Sequence, residues 1–185
     1  VNQWLAQCGA EHIAVTQQPT LIDPDKVVTT HIVGSINELF MEMSRGTDVR
    51  SETEWISKWK QCENSARAAL DEEFSKQVQL TEPLCAIIVS ESVAAGSNVV
   101  VSSSMPVRDL EWFAPARDGV RVFSNRGVNG IDGVVSTAVG IALSAKAPTA
   151  LIIGDIAMLH DSNGLLNLIR RDVQLKIIVV DNDGG

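Results

Sequence analysis

The sequence predicts an α/β chain whose second half forms a mostly parallel, doubly wound sheet, preceded by a remnant of a second α/β domain. Three observations predict it. The runs "NVVV", "TALIIG" and "LKIIVV" are rich in Val and Ile without polar alternation, as in strands covered on both faces. Segments of helical length such as "VVSTAVGIALSA" separate them, as crossover helices do. Gly, Asp, Asn and Ser collect just past the strand ends, where open parallel sheets bind ligands.

Composition narrows the classes of protein to consider. With 45% hydrophobic and 21% charged residues, the 185-residue chain can bury a core. A formal charge of −8 sets nucleic acid aside as the main partner, because phosphate contacts need a basic surface. No apolar run approaches the ~18 residues of a membrane-spanning helix, and the opening residues, lacking a basic and apolar pattern, are not expected to be a signal peptide. Cys8, Cys62 and Cys85 lie far apart without CxxC spacing, so reduced, mostly buried thiols in a cytoplasmic protein are expected. The chain opens on Val1 and stops after a strand-like run, so a piece of a longer protein is expected.

Residues 1–48 read as the end of an α/β domain. "EHIAVT" and "KVVTTHIV" predict strands around a Pro/Asp loop, and "SINELFMEMS" a helix with Ser35 as N-cap and Glu38 completing a capping box. Residues 49–80 read as a connecting helix capped by Ser51 or Thr53. Its stripe of Trp55, Trp59, Cys62, Ala66, Ala69 or Leu70, and Phe74 predicts a face laid against the following domain. Residues 81–185 then alternate. "TEPLCAIIVSESVA" is a helix with Thr81 as cap, "NVVVSSS" a strand, and "VRVFSN" a strand. "IDGVVSTAVGIALSA" is a helix, "PTALIIGD" a strand, "IAMLHDSNGLLNLIRR" a helix, and "LKIIVVDN" a last strand.

Two polar residues stand out. Asp155 ends one predicted strand and Asn182 ends another, 27 residues later, the length of one crossover. If those strands are neighbours, both side chains reach the same sheet edge. Two oxygen donors there, with a backbone carbonyl from "DNDGG", suit Mg²⁺, which completes its octahedron with phosphate oxygens and water. The helix start near Ile156 offers free backbone N–H groups to phosphates. Each residue alone also suits a plain helix cap or turn. His12, His31, His160, Asp161, Arg170 and Arg171 read as structural or surface residues, and no Ser-His-Asp or Cys-His arrangement can be argued.

Gly154-Asp155 followed by Asp181-Asn182 resembles the thiamine-diphosphate (ThDP) motif, with Ile156 for its last Gly and Asp181 for its first Asn. With "SSSMPVRDLEWF" and "SNRGVNGIDGVVSTAVG", the chain from about Asn98 to Gly185 resembles the MenD family of menaquinone biosynthesis. The resemblance implies the incomplete N-terminal part of a ThDP diphosphate-binding domain in residues 81–185. It implies a decarboxylating transfer of a succinyl-semialdehyde unit from 2-oxoglutarate to isochorismate, with ThDP and Mg²⁺ or Mn²⁺ as cofactors. By the same resemblance Ser104, Arg108 and Arg126 bind substrate. Ile131, Gly154, Asp155, Ile156, Ala157, Asn182 and Gly184 contact the cofactor, and Asp155, Asn182 and Gly184 the metal. Arg108 and Arg126 could instead be surface residues paired to Asp109 and Asp132.

In such enzymes the glutamate that activates the cofactor sits on another domain, usually a neighbouring subunit's. It is expected outside this chain, whose own catalytic residues therefore stay unassigned. A parent homodimer or homotetramer with shared active sites follows, and the isolated chain is expected to be inactive. Two alternatives remain open: a ThDP lyase of the acetolactate-synthase type, and a non-catalytic anion- or nucleotide-binding α/β module.

Overall fold

The computed structural model describes residues 2–48, 51–125, 130–169 and 171–184. The chain divides into two units, Val1–Lys60 and Gln61–Gly185. The first begins with a short helix the sequence reading did not foresee, α1 (Asn2–Gln7). Strands β1 (Ile13–Thr16) and β2 (Thr30–Val33) follow as a parallel pair, with Ile13 opposite Thr30. Between them the Asp23 carboxylate accepts from the backbone N–H groups of Val27 and Val28, closing the loop. Helix α2 (Ile36–Arg45) starts as its cap predicts, with Ser35 Oγ accepting from Glu38 N at 3.3 Å.

Helix α3 (Glu54–Ser75) carries the boundary between the units. Thr53, rather than Ser51, supplies its cap: Oγ1 accepts from Ile56 N. In the first unit, Trp55 and Trp59 meet edge to face at 5.8 Å. In the second unit, Phe74 packs edge-on against Phe113, and Arg67 Nη1 donates to Phe113 O at 2.6 Å.

The second unit is built on four parallel strands in the order β4-β3-β5-β6. They are β3 (Asn98–Val101), β4 (Arg121–Ser124), β5 (Thr149–Gly154) and β6 (Leu175–Val180). Side chains alternate across a strand, so each Val/Ile run feeds two cores. Val100, Leu151 and Ile153 pack on helix α6 (Val134–Ala145) through Val134, Val135, Ala138 and Val139. Val99, Val101 and Ile152 face the other way, toward helices α4 (Glu82–Ser92) and α5 (Met105–Phe113) through Val89, Val107 and Leu110. The sheet is thus doubly wound, as expected.

Several local expectations are corrected. Strand β3 ends at Val101, because Ser102 and Ser103 already turn toward α5. Thr81 occupies the cap position of α4, but its hydroxyl donates to Gln77 Oε1 instead of capping. Ile131 lies in a turn rather than a helix, and α6 starts only at Val134, after Gly133 at φ 65°. The helix predicted from Ile156 is two pieces, α7 (Asp155–His160) and a 3₁₀ segment, Ser162–Leu168. "DSNG" explains the break: these residues favour local turns over helix interiors. The Asp161 carboxylate is committed elsewhere, accepting from Ser136 N at 2.9 Å and Ser136 Oγ at 3.3 Å. The thiols are less buried than expected: all three are free, with Cys62 exposed and Cys8 and Cys85 half-buried.

Candidate functional site

Strands β5 and β6 are direct neighbours in parallel register, with Gly154 opposite Val180. That pairing brings Asp155 and the turn containing Asn182 to one end of the sheet. Past β6, Asp181 Oδ1 accepts from Asp183 N at 3.0 Å, and the chain takes two positive φ values, 68° at Asp183 and 105° at Gly184. Glycine suits the second of these because it has no Cβ to clash. The turn between β3 and α5 also bends sharply, at Ser104, whose φ is 73° and ψ −133°. A non-glycine residue adopts such a backbone at a cost of about 1–3 kcal/mol, and such residues cluster at ligand sites.

These strand ends surround a cleft of about 390 Å³. Of the residues predicted to form the site, Ser104, Ile131, Gly154, Asp155, Ile156, Ala157, Asn182 and Gly184 all line it. Arg108 does not: it is exposed, with Nη1 donating to Met105 Sδ at 3.8 Å. Arg126 lies outside the described residues. The alternative pairing of Arg108 with Asp109 is not found among the described residues, where Asp109 is buried; that of Arg126 with Asp132 lies outside them, and Asp132 faces His160 Nδ1 at 3.3 Å.

The cleft also contains groups that sequence reasoning missed. Glu82 of α4 lines it and accepts a hydrogen bond from Asn182 Nδ2 at 2.6 Å. Asp109, only 2% exposed, and Ser102, 1% exposed, line it too, and among the described residues both Asp109 Oδ1 and Ser102 Oγ are without a partner. Burial raises the Asp109 carboxyl above its ordinary range, and the neighbouring Glu82 charge pushes it the same way. No sequence signal set Asp109 apart, in the middle of α5, and adjacency to Arg108 suggested an ion pair instead.

Three carboxylates, Glu82, Asp109 and Asp155, line the cleft, and no Lys or Arg does among the described residues. Such a lining repels a bare anion and favours a cation. Among the described residues no three His, Cys, Asp or Glu side chains are grouped to hold a metal. A cation here would rest on Asp155, the Asn182 amide oxygen and a backbone carbonyl, taking other ligands from water or phosphate. That donor set fits Mg²⁺, which seldom occupies an all-protein cage.

Comparison with known proteins shows similarity to thiamine-diphosphate enzymes. The family "Thiamine pyrophosphate enzyme, C-terminal TPP binding domain" matches residues 109–184. Curated relatives include the 2-succinyl-5-enolpyruvyl-6-hydroxy-3-cyclohexene-1-carboxylate synthases of Myxococcus xanthus and Rubrobacter xylanophilus. The first is 39% identical over 100% of this chain and 31% of its own length. The second is 36% identical over 95% and 30%. The chain therefore spans about a third of the curated relatives it matches. In fold it is similar to a solved Mycobacterium smegmatis protein described as a thiamin diphosphate-dependent enzyme. The TM-score is 0.67 at 17% identity, covering 94% of this chain and 33% of that one.

Proposed function

From a chain related along its length to the 2-succinyl-5-enolpyruvyl-6-hydroxy-3-cyclohexene-1-carboxylate synthases, we propose the following function. The cleft holds the diphosphate end of ThDP through a divalent cation, Mg²⁺ or Mn²⁺. The parent protein is a decarboxylating carboligase of menaquinone biosynthesis. When bound, ThDP supplies the carbanion chemistry that joins a succinyl-semialdehyde unit from 2-oxoglutarate to isochorismate. The observation that carries the cofactor reading is the meeting of Asp155 and Asn182 at neighbouring strand ends, in a cleft lined by carboxylates.

The protein's own residues take separate parts. Asp155, Asn182 and the carbonyl of Gly184 hold the cation. The backbone from Gly154 to Ala157 borders the diphosphate, and Ile131 supports the cofactor from the turn before α6. Ser104 faces the substrate side, and Arg108 and Arg126 bind substrate carboxylates, for which guanidinium geometry suits bidentate contact. The residues divide between 1–48 as the end of a middle domain, 49–80 as a connector and 81–185 as the cofactor domain. The parent works in the cytoplasm as a homodimer or homotetramer with shared sites. A module for bare anions is disfavoured by the three carboxylates in the cleft.

Calorimetry of the 185-residue chain with ThDP, in Mg²⁺ and then in EDTA, tests the cofactor reading. Binding is expected only with the metal, and Asp155→Ala or Asn182→Ala is expected to abolish it. Equal binding in EDTA, or retention by both variants, refutes the reading.

A further inference from the structure

Glu82 and Asn182 are 100 residues apart in sequence, yet Asn182 Nδ2 donates to Glu82 Oε1 at 2.6 Å. A carboxylate accepts hydrogen bonds and cannot donate them, so it decides which end of the amide faces it. The NH₂ group turns to Glu82, and the amide oxygen is left for another partner. An unrestrained asparagine could present either end, and only its oxygen can ligate a cation.

We propose that Glu82 is a positioning residue for the cation site, holding the Asn182 amide so that its oxygen serves as the ligand. The inference rests on the reading of Asp155 and Asn182 as cation ligands. Glu82 is the first residue of α4, an eleven-residue helix packed on the sheet, whereas Asn182 sits in an exposed turn after β6. The helix therefore supplies the fixed point and the turn supplies the ligand. Among the described residues this is the only side-chain hydrogen bond Glu82 makes, and it joins no ion pair there. A surface ion pair or a cap interaction therefore does not account for its orientation. Both residues line the same cleft. Glu82 does not replace a ligand; it restrains one, as the outer partners of metal ligands do.

The test is a Mg²⁺ titration of the 185-residue chain at fixed ThDP, followed by calorimetry, for wild type, Glu82→Ala, Glu82→Gln and Asp155→Ala. Loss of such outer partners weakens metal affinity roughly 10- to 100-fold, and Glu82→Ala is expected to fall in that range. Glu82→Gln keeps an amide oxygen that can accept the same hydrogen bond, so it should bind Mg²⁺ close to wild type. Ligand-free thermal unfolding checks that each variant folds; if Glu82→Ala does not, Glu82→Leu, which keeps the bulk, decides in its place. Wild-type affinity in Glu82→Ala, with binding lost in Asp155→Ala, overturns the positioning role and leaves the cofactor reading standing. Equal weakening in Glu82→Gln and Glu82→Ala also overturns it, because charge rather than the hydrogen bond would then matter. Absence of Mg²⁺-dependent binding in wild type overturns the cofactor reading, and the positioning role with it.

Discussion

Asp109 is the residue whose environment conflicts most with its chemistry. The residue is 2% exposed, Oδ1 has no partner among the described residues, and Glu82 adds a like charge nearby. Desolvation and then Glu82 raise its folded pKa above the ordinary 3.8. The folded chain thus holds this proton more tightly than the unfolded chain. The sign follows: the group costs nothing below 3.8, and stability falls as pH rises from there through the raised folded value. Asp109→Asn removes the titration. Its melting temperature should exceed wild type near neutral pH, with the gap closing toward about pH 3.5. Thermal unfolding of both proteins across that range checks this, and a gap that does not change with pH would refute it. Asp155 and Asn182 were legible in the sequence because a crossover length separates them. The burial of Asp109 and the Glu82–Asn182 contact were not, because tertiary packing alone decides which carboxylates leave water.

At the scale of elements, the Val/Ile runs specified β3 and β5, whose residues buried on both faces leave no polar alternation, and also β6, which is only half-buried. The segment after β5 misled, because its apolar residues suit one helix while its Asp-Ser-Asn-Gly run breaks it. Gly164 shows why the break is kept. A Cβ there would lie 2.9 Å from both Ser136 N and Ser136 Oγ, and 3.0 Å from Val135 Cβ. The 3₁₀ segment thus sits directly on the first turn of α6, where Asp161 also accepts from Ser136. Gly164→Ala should destabilise the fold by about 1–3 kcal/mol, the usual cost of overpacking where backbone must move. Denaturant unfolding reads this directly, and an unchanged midpoint would show that the contact relaxes freely. The same clash should push on the turn holding Ile131, just ahead of α6, so weaker ThDP binding is expected beside the lost stability.

At the scale of the whole molecule, the fold and the meeting of Asp155 with the Asn182 turn at one end of the sheet were legible mainly from Asn98 onward. Kinship to the synthases extends over nearly all of the chain, but residues 1–97 hold amphipathic packing patterns rather than short motifs, and many sequences satisfy such patterns. The electrostatics of the cleft also limit what these residues do unaided. 2-Oxoglutarate and isochorismate each carry two carboxylates, whereas the cleft presents Glu82, Asp109 and Asp155, with Arg108 outside its lining. Docking two dianions against that field needs fixed guanidinium groups, the part proposed for Arg108 and Arg126, and turnover also needs the activating glutamate expected on another domain. The 185 residues are therefore expected to bind ThDP in a Mg²⁺-dependent way and to show no carboligation. Incubation with ThDP, Mg²⁺ and both substrates, followed by assay of carbon dioxide and of the coupled product, checks this. Sustained ThDP-dependent product formation would refute it, and would mean that the charges lining this cleft suffice for both cofactor and substrates.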